Sequence, residues 1–165
     1  MTKKNKRRHV FISHHHADDA EVDKLTALLS KGGCDIRNSS IRAKPANQRR
    51  LNQGLVKDET IRRLLRMKIS WAGTVIVLIG KDTHSRPWVD WEIKQANRQG
   101  KTIIGIYAQR GTEADIPTNL KNYATDIVAW NTQSIMNAID AKATSFQKPD
   151  GSDIDPIHTP VSIKC

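Results

Sequence analysis

The stretch TVIVLIG, residues 74–80, is apolar at every position between its ends. Successive side chains of a strand point to opposite faces of a sheet, so a strand with no polar alternation has to be covered on both sides. The run therefore predicts the central strand of a parallel sheet sandwiched between helices. Four further β-rich runs accompany it: HVFIS at 9–13, a weaker run at 34–37, KTIIGIY at 101–107 and DIVAW at 126–130. Between them, apolar residues recur at helical spacing over about 18–31 (Val22, Leu25, Leu28, Leu29) and 58–70 (Ile61, Leu64, Leu65, Ile69), with further helices expected over about 87–99 and 132–143 and a polar loop holding Pro117 between the last two strands. Residues 38–57 carry little periodicity and read as an elaborated loop or one holding a short helix near 48–55.

Strands that alternate with helices specify a doubly wound α/β fold, because parallel neighbours need crossovers and these are right-handed. In such sheets ligands gather at the carboxyl ends of the strands, beside the point where strand order reverses. Two loops then matter most: SHHHADD after the first strand and KDTHSRPW after the third.

With 165 residues, 38% of them hydrophobic, the chain suits one domain. The expected division is a basic tail over 1–7, a domain over 8–145 and an irregular tail over 146–165, where Pro149, Gly151, Pro156 and Pro160 fall. The longest wholly apolar run, 75–79, is far short of the about 20 residues that span a bilayer, and MTKKNKRR precedes no apolar signal segment. A cytoplasmic protein with no membrane association is expected. Cys34 and Cys165 lack ligand spacing, which suits reduced thiols and neither a disulfide framework nor a zinc site.

The net charge is +10. Lys3, Lys4, Lys6, Arg7 and Arg8 lie at the N-terminus, and nine Lys/Arg between Arg42 and Lys68 face only Asp58 and Glu59. Such a patch suits nucleic acid, a phosphorylated ligand or an acidic protein. Nucleic-acid binding would show itself in a steep dependence on salt.

The third helix opens with SRPWVDWEI, in which Pro87 suits a first turn and Ser85 or Arg86 a cap. Trp88 and Glu92 are four residues apart and so share a face, which is expected to look away from the stripe of Val89, Ile93 and Ala96 that can pack on the sheet. One reading is a carboxylate walled by the indoles of Trp88 and Trp91, partly desolvated and so strongly attractive to a cation. The other is an exposed helix glutamate paired to a neighbouring cation, with the tryptophans as edge packing. Three consecutive histidines, His14 to His16, cannot all face one ion without contortion, so no metal site is expected. Asp18, Asp19 and Asp82 resemble the acidic cluster of a phospho-receiver, but the first two are better placed to cap a helix.

VFISHHH resembles the first box of TIR domains, in which a strand ends in phenylalanine, isoleucine and serine. TVIVLIGKDTHSRPWVDWEI resembles their central strand, loop and Trp-x-x-x-Glu helix, and DIRNSSI at 35–41 is similar to the second strand and loop of the bacterial branch found in Thoeris anti-phage defence. The likeness covers about 8–143. The proline and glycine of the animal second box are absent, one extra residue separates Ser85 from Trp88, and His14 to His16 stand where tyrosine or acidic residues are more frequent.

The resemblance implies a flavodoxin-like TIR fold and a NAD-consuming enzyme, a NAD nucleosidase or ADP-ribosyl cyclase, with NAD as substrate and no separate cofactor. It implies Glu92 as the catalytic carboxylate. Phe11, Ser13 and His14 would form the floor of the NAD site, Asp82, Thr83 and Ser85 its opposite wall, and Trp88 and Trp91 its enclosing surfaces. The product would be an ADP-ribose derivative, expected to be cyclic, that reaches an effector protein, and self-association through TIR surfaces is expected. A non-catalytic interaction module of the same fold, and a nucleic-acid binder using the basic patch, are the alternatives.

Overall fold

All six side chains of the strand Thr74–Ile79 are buried, and the rest of the chain is arranged to cover them. The computed structural model describes residues 8–15, 19–38, 58–81, 83–141 and 145–154. In chain order these form β1 (Arg8–Ser13), α1 (Asp19–Lys31), β2 (Cys34–Asn38), α2 (Asp58–Trp71), β3 (Thr74–Ile79), α3 (Pro87–Arg98), β4 (Thr102–Tyr107), α4 (Thr118–Tyr123), β5 (Asp126–Val128) and α5 (Thr132–Ile139). The expected short helix near 48–55 lies outside the described residues.

The strands run parallel in the order β2-β1-β3-β4-β5, so the winding reverses between β1 and β3. There Val10 stands opposite Thr74 and Ser13 opposite Val77. Alternation along the strands divides the core in two. Val10, Ile12, Ile76, Leu78, Ile104 and Ile106 face α1 and α5, which supply Val22, Leu25, Leu29, Ile135 and Ala138. Phe11, Val75, Val77, Ile79, Ile103 and Ile127 face α2, α3 and α4, which supply Ile61, Leu65, Ile69, Val89, Ile93, Ala96 and Leu120. This is the doubly wound arrangement expected from the sequence. No described helix is long and apolar enough to cross a membrane.

Two features depart from expectation. A six-residue helix, α4, stands where a polar loop was expected, because TNLKNY buries only Leu120 and is too short to show a period. Leu120 approaches the sheet so closely that a Cβ on Gly105 would lie 3.0 Å from its Cδ2. The expected irregular tail also begins with order. Phe146 bridges Ile127 in parallel, and the Ile127 and Gln147 amides donate to the carbonyls of Ser145 and Ile127 at 2.9 and 2.7 Å. Residues 145–154 thus cover the edge of β5, whose unpaired backbone groups need partners. Pro149 and Gly151 sit in the turn of this addition, so their presence does not mark an unstructured stretch.

Tyr107 ties this segment down, its hydroxyl donating to the Gln147 carbonyl at 2.8 Å. Burial, reinforced by the carboxylate of Glu113, pushes the phenol up to about 12. A raised folded-state value means that the contribution of this group is fully present below its ordinary value of 10.0 and is lost as pH climbs toward about 12. Spectrophotometric titration of Tyr123→Phe, which leaves Tyr107 as the sole tyrosine, is expected to give a midpoint near 12 for the folded protein. A midpoint near 10 in protein that is still folded contradicts the assignment.

Candidate active site

β1 ends in Ser13, and the chain continues through His14 and His15, all three buried. On the neighbouring strand, Gly80 follows β3 and donates its amide to Thr83 Oγ1 at 2.8 Å. Thr83 is itself fully buried, so this loop is stapled back onto the strand that it leaves. A short 3-10 turn, Thr83–Ser85, then leads into α3, with Arg86 as N-cap and Pro87 in the first turn. Arg86 makes no side-chain cap bond, and the fixed backbone of Pro87 starts the helix in its place.

This turn fixes the phase of α3 and carries Glu92 under the end of β1. Ser13 Oγ donates to Glu92 Oε1 at 2.7 Å across 79 residues of sequence, and neither residue has exposed surface. The reading of Glu92 as an exposed helix glutamate is thereby overturned, since Lys94 pairs instead with Asp90 at 3.3 Å. Nor does Glu92 face away from the packing stripe. It stands three residues after Val89 and four before Ala96, the spacing of a shared helix face, and all three are buried.

The indoles are half-buried and meet edge to face, with centroids 5.8 Å apart. The Arg62 guanidinium lies over both, 5.7 Å from Trp88 and 6.0 Å from Trp91. Together with Pro87 these residues line a cavity of about 180 Å³, of which Glu92 is not a lining residue. The tryptophans therefore wall an adjoining space next to the carboxylate.

Phe11 is sealed in the core and can only back the site, His14 is buried beside Ser13, Ser85 is exposed, and Asp82 lies outside the described residues. Geometry brings Ser13, His14 and Glu92 to one strand end, and it groups Trp88 with Trp91. Sequence reading missed Arg62, which had been visible only as one charge in the basic patch. Within that patch Arg66 pairs with Glu59, and Lys68 Nζ donates to the Asn38 carbonyl at 3.2 Å, so two of its cations serve local structure. The part of the patch before α2 lies outside the described residues. Among the described residues, no three His, Cys, Asp or Glu side chains are grouped to hold a metal ion. A larger cavity, of about 400 Å³, lies at the carboxyl ends of β4 and β5 beside α1. It is lined by Glu21, Lys24, Tyr107, Gln109 and Trp130 among others, and takes in neither Ser13 nor Glu92.

A five-stranded sheet with this order, a serine closing β1 and a glutamate on the helix after β3 define a TIR-type α/β domain. The family model described as Thoeris protein ThsB, TIR-like domain, matches residues 11–113, and the chain belongs to that family. Among solved structures it is similar to the Clostridium botulinum CMP N-glycosidase BcmB, with a TM-score of 0.51 and 15% identity over 82% of this chain and 100% of that one. It is also similar to a prokaryotic SEFIR domain, with a TM-score of 0.46 and 16% identity over 82% of this chain and 89% of that one. No curated protein matches the sequence.

Ser13→Ala removes a donor from a buried carboxylate, and the expected cost is about 1–3 kcal/mol of stability in urea denaturation. Glu92→Gln keeps an acceptor for Ser13 and removes a buried charge, so it should cost less. A Ser13→Ala protein as stable as wild type would show that the hydrogen bond contributes nothing.

Proposed function

We propose that this protein cleaves NAD between nicotinamide and ribose, with Glu92 as the catalytic carboxylate. The observation that carries the proposal is the buried Ser13–Glu92 pair at the carboxyl end of β1, beside the reversal of strand order where sheets of this class take their ligands. Family membership supports it. BcmB, named for N-glycosidase action on CMP, offers an analogy for N-glycosidic bond cleavage on a similar fold.

Nicotinamide in NAD is a cationic leaving group. When the bond from ribose C1′ to the ring nitrogen breaks, the electron pair stays on nitrogen and nicotinamide departs neutral, so no general acid is required. Positive charge passes to the ribose as an oxocarbenium ion. An ionised Glu92 opposes that charge, and in a site closed to water the attraction is far stronger than in solution. Ser13, by donating to Oε1, holds the carboxylate in one orientation, and Glu92 is the group we place against the ribose. Capture of the cation by water, which loses a proton to solvent, gives ADP-ribose. Capture by a hydroxyl oxygen or a nitrogen of the same dinucleotide, with loss of a proton to solvent, gives a cyclic product, favoured where water is excluded. The complete burial of Glu92 suits the second course, and a cyclic ADP-ribose derivative read by an effector protein is the product we assign.

The same burial supports a rival reading, a non-catalytic interaction module in which Ser13 and Glu92 are a satisfied polar pair in the core. Mass spectrometry of NAD incubated with concentrated protein, alone and with lysate of phage-infected cells, separates the two. The enzyme is expected to release nicotinamide and to lose at least 100-fold in rate as Glu92→Gln, the scale associated with one electrostatic stabiliser of a transition state. Intact NAD in every condition, or equal rates for the two proteins, favours the interaction module.

A further inference from the structure

The larger cavity, at the carboxyl ends of β4 and β5, has no part in the proposed reaction, and its lining is not that of a packing defect. Its volume of about 400 Å³ falls within the roughly 300–1,000 Å³ of small-molecule sites. Leu28 of α1 and the half-buried Trp130, two residues past β5, pack against the core and also line this space. An indole left half-buried at a concave place keeps apolar surface that a ring can cover. Glu21, Lys24 and Leu28 follow one another at three- and four-residue spacing, so one face of α1 gives the wall a carboxylate, an ammonium and an apolar side chain.

The two charges differ in their commitments. Glu21 is fixed, because its Oε2 accepts from the Gln109 amide at 2.7 Å and ties α1 to the chain just past β4. Lys24 is exposed and forms no ion pair among the described residues. The Tyr107 phenol, pushed up to about 12, stays neutral at ordinary pH, and its proton is given to the Gln147 carbonyl, so it does not repel an anion. One negative group on a ligand is therefore drawn to Lys24, while a second meets the fixed carboxylate of Glu21. That combination disfavours the pyrophosphate of a dinucleotide and suits a smaller molecule. We infer that this cavity is a second ligand site, separate from Ser13 and Glu92, that takes a planar aromatic molecule bearing one negative charge, its ring against Trp130 and Leu28 and its anionic group at Lys24. Such a site stands on its own lining, whether or not Glu92 is catalytic.

Proton–nitrogen correlation spectra of the full chain test this, with naphthoate, its neutral isostere naphthamide and naphthalene dicarboxylate as probes. The indole N–H signals of the four tryptophans are separate reporters, and Trp130→Phe assigns the one that matters. Naphthoate is expected to shift the Trp130 signal with a Kd of about 0.1–1 mM, the scale for a ligand of this size, and to leave those of Trp71, Trp88 and Trp91 in place. Naphthamide should bind about 3- to 5-fold more weakly, the range of one solvent-facing charge pair, and Lys24→Gln should erase that difference. The dicarboxylate should bind more weakly than naphthoate, and Glu21→Gln, which still accepts from the Gln109 amide, should narrow the gap. An unmoved Trp130 signal, movement of Trp88 or Trp91 instead, or equal affinity for naphthoate and naphthamide overturns the inference. A preference for naphthoate that persists in Lys24→Gln, or a gap unaltered in Glu21→Gln, overturns it as well.

Discussion

β3 has no side open to water, and that requirement organises the molecule. Covering both of its faces calls for helices above and below, and the crossovers that deliver them set the strand order and leave one reversal, between β1 and β3. At the reversal the connections leave in opposite directions. The polar residues that close β1 and follow β3 are thereby gathered at one place without any need for them to be near in sequence. Ser13 and Glu92 meet across 79 residues because α3 returns under the strand that began the chain.

A carboxylate without exposed surface is an expensive occupant of that place. Removing an ionised group from water is unfavourable unless hydrogen bonds or charges replace its hydration, and the Ser13 hydroxyl supplies one such bond. In a simple packing role an apolar residue of similar size would serve at least as well. The same desolvation is useful if a cation forms nearby, since attraction between opposite charges rises as water is excluded. The arrangement is therefore weakly explained by stability, and it suits the proposed chemistry on a sugar that becomes positive.

Much of this was legible before any coordinates. The double-faced apolar run at 74–80 fixes β3, and turn residues at Gly32, Pro87 and Gly100 bound the neighbouring helices. The VFIS and Trp-x-x-x-Glu segments point to Ser13 and Glu92 because family resemblance adds what periodicity lacks. The orientation of Glu92 was read less well. A stripe of Val89, Ile93 and Ala96 invites attention to apolar residues alone, although position 92 shares their face. Arg62 was beyond reach, because no local pattern tells which residue of one helix stands over the rings of another. The order of residues 145–154 was hidden for a related reason: it comes from hydrogen bonds to the edge of β5, which are made by backbone atoms and leave no mark in composition.

In the proposed function, the bond between nicotinamide and ribose is placed against Glu92 at the end of β1. A crystal structure of Glu92→Gln grown with NAD tests it most directly. The account predicts the nicotinamide ribose within hydrogen-bond distance of residue 92, with Ser13 still bonded to the same side chain. NAD lodged in the larger cavity between Tyr107, Trp130 and α1, with the Ser13 pair untouched, would contradict it.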